Sequence, residues 1–174
     1  MKTPPKAIGV FYQFDESPSG IENKLNLVLD GIQNPGNLGT IIRIADWFGI
    51  ENVFCSTDSA DIYNPKTVQS TMGALARVRI HYTQLTDLLQ KYKQLPVYGT
   101  FMNGENIYNE KLTENGFIVM GNEGKGIRPE IENLVSKRIS IPNYPTDRET
   151  VESLNVAVST AIVCSEFRRR IYIK

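Results

Sequence analysis

The sequence is short of the side chains that build metal centres and cross-links. It holds one histidine, two cysteines and one tryptophan in 174 residues. A zinc site gathers about four His, Cys or carboxylate ligands, usually at short spacing. With His81 alone and no Cys-x-x-Cys pair, no metal is expected. Cys55 follows Val53-Phe54 and Cys164 follows Ile162-Val163, apolar surroundings that mark buried free thiols rather than reactive ones. An excess of one charge is also missing: 19 Lys and Arg balance 19 Asp and Glu. Nucleic-acid-binding domains usually carry a basic surplus, so any such site here must be a local patch. No apolar run approaches the roughly 20 residues that span a bilayer, and no signal peptide is visible. The chain therefore reads as soluble and cytoplasmic, without a membrane partner. Repeats and low-complexity tracts are absent as well.

What is present is one domain's worth of alternating strand and helix patterns. Residues 1–22 are irregular, punctuated by Pro4, Pro5, Pro18 and Gly20, with a strand-like run only at Ala7–Phe14. From residue 23 the alternation is regular. Strands are expected at Leu25–Leu29, Asn52–Ser56, Val78–Tyr82, Val97–Met102, Phe117–Met120 and Ile139–Pro142. Leu38, Ile41, Ile42, Ala45 and Phe48 recur at helical spacing until Gly49 stops them. Further helices are expected at Pro65–Arg77, Leu85–Tyr92, Pro129–Val135 and Ser153–Arg170, and proline suits the first position of the third. Such alternation predicts an α/β fold with a parallel sheet covered by helices. Ligands of such sheets collect at the carboxyl ends of the strands.

Three segments fall at such ends. The first runs from Leu29 to Asp46 and holds the turn Asn34-Pro35-Gly36-Asn37, then Arg43 on the following helix. Asn37 can serve simply as that helix's N-cap, and Arg43 as a surface charge whose stem packs on Trp47. The second is Met120-Gly-Asn-Glu-Gly-Lys-Gly-Ile-Arg128, where Gly121, Gly124 and Gly126 permit close backbone approach to a ligand. It lacks the Lys-Ser/Thr pair of a phosphate-binding loop and the glycine spacing of a dinucleotide fingerprint. Glu123 within it can be an ordinary turn residue. The third joins Ile139–Pro142 to Glu152-Ser153-Leu154-Asn155 and a helix that is apolar nearly all round. Ser153 fits an N-cap there. A helix so apolar is buried on several sides, which in a domain this small points to a second subunit. Asn155 in that setting needs a hydrogen-bond partner.

Each segment is a weak signal alone, but their order and spacing resemble the three signature motifs of the TrmH/SpoU family of RNA ribose methyltransferases, within the SPOUT superfamily. The resemblance runs from about Asn23 to Arg170. It implies an α/β fold whose C-terminal segment forms a trefoil knot, a homodimer packed through the last helix, and S-adenosyl-L-methionine as methyl donor. The donor would lie among Thr100, Met120, Gly121, Asn122, Gly124, Ile141, Pro142, Ser153, Leu154 and Asn155. The same resemblance makes Arg43, Asn37, Glu123, Ser153 and Asn155 the catalytic set, acting on a ribose 2′-hydroxyl of rRNA or tRNA. Arginine stays charged in proteins, so Arg43 is expected to act by charge on the phosphate and the developing alkoxide. Asn37 would fix Arg43 or the ribose, and Glu123 would orient Arg43 or Asn37. Arg43, Lys125, Arg128 and Arg148 are the expected RNA contacts, with Arg77, Arg79 and Lys66 as further candidates. Arg168-Arg169-Arg170 could face RNA or complement the helix dipole. Residues Lys2–Phe11 resemble the segment that follows an N-terminal substrate-binding domain in two-domain members. The expectation is therefore either the catalytic part of a longer protein or a short member without that domain.

Two rival readings stand against this one. An inactive RNA-binding module of the same fold would not need Arg43 and Glu123 together. A nucleotide-binding doubly wound domain would need an acidic ribose ligand about 20 residues after the glycines, where Ser140–Tyr144 stands instead.

Overall fold

The structure is a computed structural model and describes residue 10, residues 17–145 and residues 153–169. The strand expected at Ala7–Phe14, apart from Val10, lies outside the described residues, as do Arg148 and Arg170.

Six strands form one sheet: β1 (Leu25–Asp30), β2 (Asn52–Cys55), β3 (Arg79–Tyr82), β4 (Val97–Asn106), β5 (Gly116–Gly121) and β6 (Lys137–Ser140). Their order is β3-β2-β1-β5-β4-β6, and every pairing is parallel. The expected α/β parallel sheet is therefore what the chain forms. Every residue of β1 is buried, as a central strand covered on both faces requires. Leu25, Leu27 and Leu29 join one core cluster, and Val28 joins the other. This period of two lets one strand feed both faces.

The first face is covered by α1 (Pro35–Trp47) and α5 (Val156–Arg169). Leu38, Ile41, Ile42 and Ala45 of α1 share a cluster with Val156, Val163, Cys164 and Phe167 of α5. The second face is covered by α3 (Leu85–Lys91) and α4 (Pro129–Glu132), whose Leu85, Leu88, Leu89 and Ile131 pack on Phe54, Phe117 and Val119. Helix α2 (Pro65–Thr71) lies against α1.

Several boundaries differ from the sequence reading. Helix α1 begins at Pro35, and its N-cap is Asn34, whose side chain accepts from the amides of Gly36 and Asn37 at 2.9 and 3.1 Å. Asn37 is thus a helical residue with its side chain free for other work. Helix α2 ends at Thr71 because Met72 is left-handed (φ 50°), and a short 3₁₀ turn follows at Ala74–Ala76. The single helix expected over Pro65–Arg77 is two pieces. Helix α5 begins at Val156, not Ser153, and Asn155 Oδ1 accepts from the amides of Ala157 and Val158 at 3.0 and 3.3 Å. On its outer face Val158 is 49% exposed. Arg168 closes the other end of the pair by donating to the carbonyls of Phe48 and Gly49 at 2.7 and 3.0 Å, groups that the end of α1 leaves free. Arg169 pairs with Glu166 at 2.7 Å. Both arginines thus hold the end of α5 in place. The trefoil threading implied by the resemblance depends on the path between Pro145 and Ser153, outside the described residues.

Both cysteines are buried and free, as expected. Burial pushes each thiol up to about 12. Native protein should therefore leave a thiol-specific chromogenic reagent unreacted near neutral pH, where only thiolate attacks. Both thiols should react once urea unfolds the chain.

Candidate active site

A cleft of about 1030 Å³ opens at the carboxyl ends of β5, β4 and β6. Its walls include Thr100, Met120, Gly121, Asn122, Gly124, Ile141, Pro142, Ser153 and Leu154, nine of the ten residues expected around the methyl donor. Glu123 and Lys125 also border it, whereas Asn37, Arg43, Arg128 and Asn155 do not. Met102 and Tyr144 stand at its edge, 73% and 92% exposed. Met102 falls in the stretch Thr100–Asn103 that the family resemblance sets beside the donor, whereas Tyr144 was not expected there.

The glycine-rich turn is held from inside and from below. Asn122 and Gly126 exchange backbone hydrogen bonds at 3.0 and 2.9 Å. Asn122 Oδ1 accepts from the amides of Gly124 and Lys125, and its Nδ2 donates to the Gly31 carbonyl at 2.7 Å. All of that side chain's strong hydrogen-bonding capacity bar one N–H is spent on shaping the turn. Gly121 allows the turn to close: a Cβ there would lie 2.4 Å from Gly126 C and Ile127 N, which no larger residue tolerates. Below the turn sits Asp30, fully buried at the end of β1. Its Oδ2 accepts from the Arg128 backbone amide at 2.8 Å, and its Oδ1 from Arg128 Nε at 2.6 Å. Gly121 pairs with Asp30 in strand register, so both feet of the turn stand on one residue. Sequence reasoning missed Asp30, because a single acid at a strand end does not announce a partner 98 residues away.

Arg128 was expected to contact RNA. Its guanidinium instead lies 2.5 Å from Asp30 and within 4 Å of Asp58 and Glu130, and the Asp30 hydrogen bond raises its pKa further above the ordinary value. It braces the turn while its side chain stays 41% exposed. Arg77 is likewise bound to Asp46 on both carboxylate oxygens, and Arg79 lies 3.5 Å from Glu51. Lys125 and Lys66 remain exposed and form no ion pair with a described residue.

Three expected catalytic residues meet in one hydrogen-bonded line. Asn155 Nδ2 donates to Asn37 Oδ1 at 3.1 Å, and Asn37 Nδ2 donates to Glu123 Oε1 at 2.9 Å. The direction of this line follows from the helix cap. Asn155 must turn its oxygen toward the amides of Ala157 and Val158, so its nitrogen faces Asn37. Asn37 must then present oxygen to Asn155 and nitrogen to Glu123. An ionised carboxylate is the acceptor that ends the line. The starts of α1 and α5 and the glycine-rich turn are thereby fastened together. Ser153, exposed, borders the cleft two residues before Asn155.

Arg43 stands apart. It is exposed and makes no hydrogen bond or ion pair with a described residue. Six residues beyond Asn37, it lies about 9 Å further along α1 and about 120° around it.

These features define an α/β ligand-binding domain whose cleft is built from a glycine-rich turn and two helix starts at the strand ends. The profile of the SpoU rRNA Methylase family matches residues 24–165, and the chain belongs to that family. It is 36% identical over 159 residues to the 23S rRNA (guanosine-2′-O-)-methyltransferase RlmB of Neisseria meningitidis, covering 88% of this chain and 61% of the relative. Among solved structures, a protein assigned to the TrmH family of RNA methyltransferases from Porphyromonas gingivalis superposes with a TM-score of 0.79 at 46% identity, covering 88% of this chain and 62% of that one. An AdoMet-bound rRNA methyltransferase from Sinorhizobium meliloti superposes with a TM-score of 0.78 at 28% identity, covering 86% and 57%. The chain thus spans about three fifths of the length of these relatives.

The Asp30–Arg128 pair yields a prediction with a definite order. Arg128→Ala leaves a buried carboxylate with one backbone donor and should cost about 3 kcal/mol. Asp30→Ala should cost less, because the orphaned Arg128 side chain, 41% exposed, can turn to solvent. Urea unfolding of both variants measures the order.

Proposed function

We propose that the cleft binds S-adenosyl-L-methionine and that the protein transfers its methyl group to a ribose 2′-hydroxyl of RNA. Ribosomal RNA is the favoured substrate, since the Neisseria relative is named for 23S rRNA, and tRNA is the alternative. The observation that carries the reading is the Asn155–Asn37–Glu123 line, which ties two motif residues to Glu123 at the border of a cleft lined by nine of the expected donor-binding residues. The cleft suits the donor chemically. Met120, Ile141, Leu154 and Val156 offer apolar walls for an adenine and the carbons around sulfur. Thr100, Asn122 and Ser153 and the open backbone of the turn offer polar groups for the ribose and amino-acid ends.

Bound there, S-adenosyl-L-methionine supplies an electrophilic sulfonium methyl for an attacking oxygen. The protein's part is alignment and charge. Glu123 holds the Asn37 carboxamide, which leaves one Asn37 N–H to orient the ribose. Ser153 and Asn155 close the donor side of the cleft. Arg43 stays protonated, grips a phosphate beside the target nucleotide and stabilises the alkoxide as it forms. Lys125, exposed on the turn, extends the phosphate contacts, and Arg148 is a further candidate.

The working unit is a homodimer. On the outer face of α5, Val158 is 49% exposed, Ala161 and Ile162 are half-buried, and Leu154 just before the helix is 48% exposed. A second copy covering this face accounts for the apolar sequence of the helix. Because Arg43 does not border its own cleft, it serves the cleft of the partner. The protein works in the cytoplasm, where its RNA is.

Arg43→Ala should keep its affinity for the donor in calorimetry and lose roughly 10²–10³-fold in methyl transfer, the scale of one preorganised charge contact. Mixing Arg43→Ala with Asn155→Ala protein tests the dimer. If Arg43 acts across the interface, mixed dimers regain one intact site and show activity that neither parent has. If it acts within its own subunit, the mixture stays inactive.

A further inference from the structure

The chain's one tryptophan sits on a rigid helix and is 84% exposed. An indole offers a large, flat apolar surface with one polar N–H, which suits it to contact with a partner. Trp47 has neighbours of a particular chemistry. Gly36, Thr40, Arg43 and Trp47 follow the i, i+4, i+7, i+11 spacing that lines one face of α1. Lys66 from α2 reaches the start of that face, its Cε lying 3.3 Å from where a Cβ on Gly36 would be. The stripe is therefore a cation, a floor without side-chain bulk at Gly36, a second cation and a flat aromatic ring. Neither Arg43 nor Lys66 forms an ion pair with a described residue. Asp46, the acid beside Trp47, is neutralised by Arg77 at 2.7 Å. In a chain of zero net charge, this is a local basic strip.

We propose that this stripe is a track for single-stranded RNA beside the target nucleotide, with Trp47 stacking on a flanking base and Arg43 and Lys66 holding backbone phosphates. The inference rests on the RNA methyl-transfer reading and extends it to where the strand runs. Arg43 and Trp47 are one helical turn apart, about 6 Å along the axis. That matches the spacing of a base from the phosphate of its neighbour closely enough for one nucleotide to engage both. Stacking on an indole is tolerant of base identity, and guanidinium and ammonium groups recognise phosphate without reading sequence. The stripe would thus hold the strand in register and leave selection of the site to other contacts.

The tryptophan is its own probe. Titrating the protein with a short unstructured oligoadenylate should quench the emission of Trp47 saturably, and added salt should weaken the effect. Trp47→Ala should bind a labelled copy of the same oligonucleotide roughly tenfold more weakly by anisotropy, the order of one base–aromatic stack. Trp47→Phe should fall between the two. Donor affinity and sedimentation mass should not change in either variant. The proposal is overturned if RNA leaves the emission unaltered and Trp47→Ala binds as wild type does. It is equally overturned if the emission follows protein concentration without RNA and Trp47→Ala changes the sedimentation mass, because the ring then seats a second copy. Wild-type protein that binds no donor and transfers no methyl group contradicts the functional reading itself. Wild-type transfer with an unchanged KM for RNA in Trp47→Ala contradicts only the stripe.

Discussion

The candidate site depends on a hydrogen bond that begins as ordinary helix capping. Asn155 caps α5, and that duty decides which way its amide faces. The choice passes through Asn37 to Glu123, so that a requirement of helix termini becomes the orientation of a carboxylate at the cleft. Each residue in the line has only one arrangement that satisfies its neighbours. Two helix starts are thereby tied to the glycine-rich turn.

The turn has its own foundation. Asp30 holds both feet of the turn from beneath, and Asn122 shapes it from within. Buried ion pairs contribute little net stability against apolar replacements, but breaking one is costly. The pair is therefore better understood as a device for position than as a source of stability. The same division runs through the basic residues. Arg77, Arg128 and Arg168 hold parts of the protein to one another, while Arg43, Lys66 and Lys125 are exposed without an ion pair among the described residues.

Much of the fold could be read from the sequence because its strands are short apolar runs separated by helical periodicity. Leu25–Leu29 and Phe117–Met120 became the two central strands within a residue at each end. The errors came where two residues competed for one local role. Asn34 and Asn37 flank the same turn, and Pro35 at the first helical position identifies Asn34 as the cap. Ser153 and Asn155 compete in the same way, and which of them caps depends on where the chain joins α5. The left-handed Met72 that ends α2 had no signal, since no glycine or asparagine marks it. Pairings over long separations were the least legible. Nothing at position 128 reveals that Asp30 waits for it. The cleft's glycines and the three motif asparagines and acids were legible only as a set, through their order along the chain.

The proposed methyl acceptor is a ribose oxygen. Radiolabelled methyl transfer from S-adenosyl-L-methionine to undermodified 23S rRNA and tRNA, followed by complete digestion and nucleoside separation, addresses it directly. The account predicts label in a single 2′-O-methylated nucleoside from one of the two RNAs. Label in a methylated base, or no label in either RNA while the donor binds, would contradict it.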